Sequence, residues 1–215
     1  MIFFVPAYDL STQANLTIAK LIITSNCVTL FEKKATKQEL ILALCKADVP
    51  LFAMSHGVPD ALKAQNGEVA LSKNDVHLLG ERQIYAFACH TAAELGKDAA
   101  NKGSIWWGYS DTISCAIDLP ALSSVFTDIF TFIRDNFETA TSPEDRQTML
   151  EELKKKCEAA QDEVDRIDSK IEITEIMEVY RTLRHIWDRL RIWIPNAQQP
   201  ENHPQVSSPS LPWGN

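Results

Sequence analysis

Two apolar runs of the chain end on residues that could carry out catalysis. Residues 51–56 read Leu-Phe-Ala-Met-Ser-His, so the first run leads to His56, and Gly57 follows it. Residues 84–89 read Ile-Tyr-Ala-Phe-Ala-Cys, so the second run leads to Cys89. A cysteine thiolate is a strong nucleophile, and a nearby imidazole promotes its formation. The pair therefore indicates nucleophilic catalysis if the two runs are neighbouring strands.

The residues beside each candidate favour the same chemistry. We expect a helix over residues 91–102, directly after Cys89, and the positive end of a helix dipole stabilises a nearby thiolate. Gly57 lets a backbone N–H approach a reacting carbonyl closely, because glycine has no Cβ. The N–H groups of Gly57 and Cys89 are therefore candidates for an oxyanion hole, which stabilises the charge of a tetrahedral intermediate.

Each candidate also has a simpler interpretation. A buried cysteine is commonly an inert, small hydrophobic residue, and a histidine at a strand end commonly just completes a hydrogen bond. Catalysis gains support because both residues lie at carboxyl ends of predicted strands. His90 adjoins Cys89, but neighbouring side chains diverge, so we consider it a poorer base. His77 lies in a short predicted helix without a matching partner.

The elements that must position His56 and Cys89 alternate between strand and helix. Apolar runs predict strands, and amphipathic or capped segments between them predict helices; Asn66-Gly67 predicts the turn of a hairpin over residues 62–71. This alternation is typical of an α/β layer structure with a mostly parallel central sheet. Ligands of such sheets bind outside the carboxyl ends of the strands. The predicted strands cover residues 2–5, 49–54, 84–88 and 104–109.

The C-terminal third of the chain has a different character. Residues 142–194 begin with Ser142-Pro143, a strong helix start, and then carry one apolar stripe at steps of three and four residues. The stripe slips once, which predicts either one long helix or a helical hairpin, packed on the α/β body or on a partner chain in an oligomer. Residues 195–215 contain five prolines and predict a mobile tail. We therefore divide the chain into an α/β domain (1–141), a helical extension (142–194) and a tail (195–215).

Composition excludes several classes of function. The net charge of −8 gives no electrostatic support for a nucleic-acid groove, and no run reaches the roughly 18 apolar residues of a membrane span. Five cysteines without a C-x-x-C pair predict free thiols in a reducing cytoplasm and no zinc site. With only 7 glycines and no glycine-rich phosphate loop, a flavodoxin-like small-molecule binder is disfavoured. We expect neither a metal nor a cofactor.

The motifs around His56 and Cys89 resemble those of CHAT-domain peptidases, relatives of caspases, separase and gingipains. The matching segments are MSHG at residues 54–57, the hairpin, YAFACHTAAELG at residues 85–96, and GSIWWGYSD at residues 103–111. Their order and spacing match over residues 49–111. The chain departs from the caspase form of the cysteine motif, because no glutamine precedes Ala88-Cys89 and no glycine follows it.

This resemblance implies a caspase-like three-layer sandwich and a cysteine endopeptidase with a His-Cys dyad. His56 would be the general base and then the acid to the leaving amine, and Cys89 would form the acyl-enzyme. The N–H groups of Gly57 and Cys89 would stabilise the oxyanion. Such bacterial proteins commonly cleave a companion protein after activation by a partner in a separate chain, in stress or phage defence. The alternative is a catalytically silent, caspase-like adaptor that acts through residues 142–194.

Substrate selection in such a fold would depend on residues near the next strand. Asp111 could place a carboxylate that selects arginine or lysine, with Asp118 as a second candidate; a loop aspartate in water is the competing interpretation. Trp106 and Trp107 should point to opposite faces of their strand, so one is expected in the core. Trp107 is our candidate for the cleft wall.

Overall fold

Nine strands and six helices form the part of the chain that the computed structural model describes, which is residues 1–113, 122–166 and 172–206. The strands are β1 (Ile2–Val5), β2 (Val28–Phe31), β3 (Leu51–Met54), β4 (Gly57–Val58), β5 (Ala61–Lys63), β6 (Val69–Ser72), β7 (Gln83–Phe87), β8 (Ile105–Tyr109) and β9 (Leu190–Trp193). The helices are α1 (Leu10–Ile22), α2 (Lys37–Lys46), α3 (Leu95–Ala100), α4 (Ser123–Asn136), α5 (Pro143–Val164) and α6 (Ile173–Asp188).

The central sheet has six strands in the order β2-β1-β3-β7-β8-β9, and only β9 runs antiparallel to its neighbour. Strands β1, β3 and β7 are buried along their whole length. Burial on both faces explains why they occur in the sequence as continuous apolar runs rather than alternating ones. The short strands β4, β5 and β6 form a separate antiparallel sheet directly after His56.

Helices cover both faces of the sheet. One hydrophobic core lies between the sheet and α1, α4, α5 and α6, and a second lies between the sheet and α2, α3 and the β5–β6 hairpin. Trp107 belongs to the first core and Trp106 to the second, as expected for adjacent residues of one strand. The predicted α/β class with a mostly parallel sheet is confirmed, and the helical layers on both faces are compatible with a three-layer sandwich.

Two arrangements were predicted for the stripe over residues 142–194, one long helix or a helical hairpin, and the structure has two packed helices. Ser142 caps α5 in a reciprocal capping box with Asp145. The stripe faces the α/β core, where Leu153 and Leu183 are fully buried. The last part of this stripe was predicted to be helical, and that is wrong: Leu190–Trp193 pairs with β8 as strand β9. All four residues of β9 are buried. Their place in the packed sheet therefore determines their conformation, and the local helical periodicity does not.

Residues 195–206 differ from the predicted mobile tail. The Arg146 guanidinium donates to both carboxylate oxygens of Glu201, at 2.6 and 2.8 Å. The backbones of Ile192 and Glu201 exchange two hydrogen bonds of 2.8 Å, and His203 is only 3% exposed. Prolines limit regular structure but do not prevent such contacts. This segment therefore packs against the body of the protein.

None of the helices in the described ranges is both long and apolar enough to cross a membrane.

Candidate functional site

His56 and Cys89 follow neighbouring strands of the central sheet. Strands β3 and β7 are parallel partners, with Met54 opposite Phe87. The ladder continues one step further, since the Ser55 N–H donates to the Phe87 carbonyl at 3.1 Å. His56 follows Ser55 directly, and Cys89 lies two residues after Phe87, at the same edge of the sheet. Catalysis by this pair requires that the two strands be neighbours, and they are.

Gly57 packs directly against the backbone of the Cys89 turn. A Cβ at position 57 would lie 2.4 Å from the Cys89 carbonyl oxygen and 2.6 Å from Cγ2 of Thr91. Such separations are well inside van der Waals contact, so only glycine fits. The close approach brings the start of β4 against the residue predicted to be the nucleophile. It also provides a packing reason for this glycine in addition to the predicted oxyanion role.

The turn after Cys89 has a strained backbone. His90 has a φ of 59°, in the left-handed region that residues other than glycine rarely adopt. Strain of this kind persists where surrounding contacts enforce it and is concentrated at functional sites. Here the His90 N–H donates to the Asp111 carbonyl at 3.3 Å. Among the described residues, the Cys89 N–H has no acceptor, which is compatible with the predicted oxyanion role.

The predicted helix over residues 91–102 is wrong at its start. Turns occupy residues 89–94, and α3 contains only the six residues Leu95–Ala100. The N–H groups of Glu94 and Leu95 both donate to the Pro59 carbonyl, at 3.1 and 2.8 Å. The amino end of α3 therefore faces the β4–β5 turn, and the helix dipole does not act directly on Cys89.

An aspartate that the sequence analysis missed binds the candidate base. Nε2 of His56 lies 2.6 Å from Oδ2 of Asp9. Asp9 is the N-cap of α1, and its other oxygen accepts from the Thr12 N–H at 2.9 Å and the Thr12 hydroxyl at 2.8 Å. With Nε2 donating to Asp9, Nδ1 of His56 is the nitrogen left to act as base. The arrangement holds the imidazole in one tautomer and one orientation.

Electrostatics keeps Asp9 ionised. Partial burial acts to raise its pKa, but hydrogen bonds from Thr12 and from His56 outweigh burial and lower the pKa overall. The Tyr8 ring lies 5.7 Å from the His56 ring, centroid to centroid, and shields one side of the pair. The only sequence signal for this contact is the Asp9-x-x-Thr12 capping pattern. A capping pattern does not reveal a partner 47 positions away.

The sulfur of Cys89 is bound by the loop that follows β8. Sγ accepts from the Ile113 N–H at 3.4 Å and donates to the Ile113 carbonyl at 3.2 Å. Within the described part of the chain, no hydrogen bond joins Cys89 to His56. The two side chains therefore share one edge of the sheet, while the thiol is engaged elsewhere in this conformation.

Asp111 lies in this same loop, beside the Cys89 turn, but it is already paired. Its Oδ2 lies 3.5 Å from Nη1 of Arg189, and its side chain is 54% exposed. The hydrogen bond from the Thr112 N–H is the main cause that lowers the Asp111 pKa. Partial burial acts to raise this pKa, and the charges of Arg189 and His90 lower it further. A substrate arginine or lysine would have to compete with Arg189 for this carboxylate.

The other two predicted pocket residues, Trp107 and Asp118, give no support for a substrate pocket. Trp107 is completely buried, and its indole N–H donates to Gln83 at 3.0 Å. It cannot form the wall of an open cleft, so that prediction is wrong; Trp106 is equally buried on the opposite face. Asp118 lies outside the described residues. In the described ranges, no three His, Cys, Asp or Glu side chains gather closely enough to hold a metal ion.

Comparison of the sequence with protein-family models and with curated proteins finds no match. The resemblance to CHAT-domain peptidases therefore depends on the motifs of residues 49–111 alone.

Proposed function

We propose that this protein is a cysteine-type endopeptidase with a caspase-like fold, in which Cys89 is the nucleophile and His56 the general base. The observation that carries the proposal is the pairing of β3 with β7, which brings His56, Gly57 and Cys89 to one sheet edge. The hydrogen bond between His56 and Asp9 adds support, because a fixed tautomer is what a general base requires.

The chemistry follows from these positions. His56 accepts the thiol proton, and the Cys89 thiolate attacks the carbonyl carbon of the scissile peptide bond. The negative charge that forms on the carbonyl oxygen is stabilised by the Cys89 N–H, with the Gly57 N–H as the second donor. His56 then donates its proton to the leaving amine, which breaks the C–N bond and leaves an acyl-enzyme. Water, deprotonated by the same imidazole, hydrolyses the thioester and restores the thiol.

Four parts of the proposal extend it beyond the site. The substrate is a companion protein, and activation comes from a partner in a separate chain. The location is a reducing cytoplasm, in which cysteines such as the described ones stay free thiols. The role is in stress or phage defence. No cofactor is needed for the chemistry.

Thiol alkylation tests the catalytic pair. The rate of iodoacetamide labelling of Cys89 is measured by mass spectrometry between about pH 5 and 9, a range that spans the ordinary pKa values of histidine and cysteine, in the wild type and in His56→Gln. Cys45, which is exposed, serves as an internal reference in the same chain. We expect His56→Gln to slow labelling of Cys89 on the acidic side of the ordinary thiol pKa and to leave Cys45 unchanged. Equal Cys89 profiles in the two proteins would contradict a base role for His56.

The second candidate function is the silent adaptor. It is favoured by the engagement of Sγ with Ile113 instead of His56, and by Ile173 and Met177, which α6 leaves 78% and 57% exposed. A peptidyl acyloxymethyl ketone library distinguishes the candidates, because these probes alkylate only a cysteine that carries out acyl-transfer chemistry. His56-dependent labelling of Cys89 supports the peptidase; loss of partner binding on α6 substitution, without any such labelling, supports the adaptor.

A further inference from the structure

A continuous series of contacts joins the Cys89 sulfur to the end of helix α6. Ile113 binds Sγ through its backbone N–H and carbonyl. One residue earlier, the Thr112 carbonyl accepts from Nη1 of Arg189 at 2.6 Å. The Ser110 N–H and hydroxyl both donate to the Arg189 carbonyl, at 3.0 and 3.3 Å. Arg189, which terminates α6, therefore holds the loop that holds the sulfur.

These contacts compete with the proposed reaction and slow it. A thiol that donates to the Ile113 carbonyl cannot at the same time donate its proton to His56. The side chain of Arg189 makes its contacts at a partly exposed position, with 27% of the side chain accessible. Its partners there are a neutral carbonyl and the carboxylate of Asp111 at 3.5 Å, which is itself mostly in solvent. Exposed ion pairs of this kind contribute little to stability, so a better acceptor could displace Arg189.

Arg189 also lines a groove on the outer side of α6. The groove has a volume of about 650 Å³, and its lining includes Met177, Arg181, Arg184, His185, Asp188 and Arg189. Its cationic groups are in weak, exposed pairs: Arg181 with Glu178 at 2.9 Å and Arg184 with Asp188 at 3.2 Å. Burial and then the charge of Arg189 lower the pKa of His185, so its ring is mainly neutral near neutral pH.

The composition of the groove selects one kind of ligand. Three guanidinium groups favour carboxylates, which they bind in bidentate geometry. Met177 supplies apolar surface in the groove, and Ile173, one turn earlier on α6, is also exposed. This combination of cationic and apolar surface matches an acidic, amphipathic segment of a protein. A nucleic acid is disfavoured because the net charge of the chain is −8.

We propose that an acidic, amphipathic segment of a partner protein docks in the α6 groove and draws Arg189 away from Thr112, which releases Cys89 from Ile113. This proposal rests on the proposed function only for the reaction that the released Cys89 thiol then carries out. The release itself is a change in the environment of one sulfur, so it can be measured without any substrate.

The first experiment removes the arginine. Iodoacetamide labelling of Cys89 is measured at about pH 7.5, below the ordinary thiol pKa, in the wild type, in Arg189→Gln and in the control Lys155→Gln, an exposed residue of α5 that pairs with Glu152 and does not line the groove. We expect labelling to be faster in Arg189→Gln by up to about fivefold, the change that corresponds to about 1 kcal/mol, and unchanged in the control. Thermal unfolding confirms that both variants fold. Equal rates in all three folded proteins would overturn the proposal.

The second experiment supplies the ligand. The probe is a peptide of about three helical turns in which leucine recurs every three or four positions among glutamates; the matched control has glutamine in place of each glutamate. We expect the acidic peptide to accelerate Cys89 labelling in the wild type at low ionic strength. Arg184→Gln should weaken this effect, and Arg189→Gln should show none beyond its own faster rate. No acceleration, equal acceleration by both peptides, or a stronger effect from oligothymidylate would overturn the assignment of an acidic protein partner.

The two proposals can fail separately. If Arg189→Gln accelerates labelling but the additional change His56→Gln leaves the rate unaltered, the release of Cys89 is supported and the peptidase is not. If His56→Gln slows labelling and Arg189→Gln does not accelerate it, the peptidase is supported. The contacts between Arg189 and Ile113 then do not control the reactivity of Cys89.

Discussion

Replacement of Gly57 by alanine gives the strongest prediction about the site, because the structure sets the size of the perturbation. The added Cβ would lie 2.4 Å from the Cys89 carbonyl oxygen. An ordinary carbon–oxygen contact is longer by about 1 Å, so the β4 segment must move away from the Cys89 turn by roughly that amount. The Thr91 methyl group, at 2.6 Å from the same Cβ, blocks a sideways escape.

Both stability and reactivity should change as a result. Overpacking a close contact costs about 1–3 kcal/mol of the free energy of unfolding. A displacement of about 1 Å between reacting groups costs on the order of 100-fold in rate. His56 precedes position 57, so it moves with β4 and away from Cys89. We therefore expect Gly57→Ala to lose most of the His56-dependent part of Cys89 alkylation.

The control for this prediction is Gly67→Ala in the hairpin turn. Gly67 has a φ of +73°, and a Cβ there would meet no atom closer than the Tyr8 hydroxyl oxygen, at 3.9 Å. Alanine at this position costs about 1–2 kcal/mol through the left-handed backbone alone. Urea unfolding measures the stability of both variants, and mass spectrometry measures the labelling rate of Cys89. If Gly57→Ala keeps wild-type stability and the wild-type rate, or if both variants lose the rate equally, the packing argument is refuted.

Three further predictions follow from polar contacts elsewhere in the fold. Asp9→Asn keeps the N-cap of α1, since asparagine caps as well as aspartate, but weakens the contact to the base; Cys89 labelling near neutral pH should slow by about fivefold for a loss of about 1 kcal/mol, and an unchanged rate would remove Asp9 from the mechanism. Burial acts to raise the pKa of Asp75, but the ion pair and hydrogen bonds of its carboxylate outweigh burial and lower it. Ionised Asp75 therefore stabilises the fold above its unfolded pKa of about 4, and this stability is lost as the pH falls through the lower pKa of the folded state. Asp75→Asn should be less stable than the wild type in urea at about pH 7. A stability difference that persists at about pH 2 would contradict this origin. Glu201→Gln removes the charge from the hydrogen bonds that Glu201 makes with the buried Arg146, and it should lower the free energy of unfolding by about 2 kcal/mol, the contribution of a hydrogen bond to a charged group. A change below about 0.5 kcal/mol in urea unfolding, the size of an ordinary surface substitution, would show that residues 195–206 contribute little to the fold.

Some features of this protein were predictable from the sequence because their cause is local or nearly so. Strands that are buried on both faces must be apolar throughout, so the runs leading to His56 and Cys89 identified β3 and β7. Helix starts such as Ser142-Pro143 are likewise set by capping within one turn. The placement of both candidate residues at strand carboxyl ends followed from the same patterns.

Local patterns were misleading where a distant group took over a backbone bond or a side chain. The Pro59 carbonyl accepts the first N–H groups of α3, so the helix begins at Leu95 and not beside Cys89. Pairing with β8 turns Leu190–Trp193 into a strand, although its spacing continued a helical stripe. In each case the deciding contact comes from a segment far away in the sequence, which periodicity does not encode.

The chemistry of the site depends most strongly on what only the tertiary structure decides. The sequence determined that a histidine and a cysteine end two buried strands. The order of strands in the sheet determined that the loop after β1 delivers Asp9 to His56, and that the loop after β8 delivers Ile113 to the Cys89 sulfur. These contacts join loops whose residues are 47 and 24 positions apart. They form because parallel strands bring all their carboxyl ends to one edge, and that order is a property of the whole packed sheet.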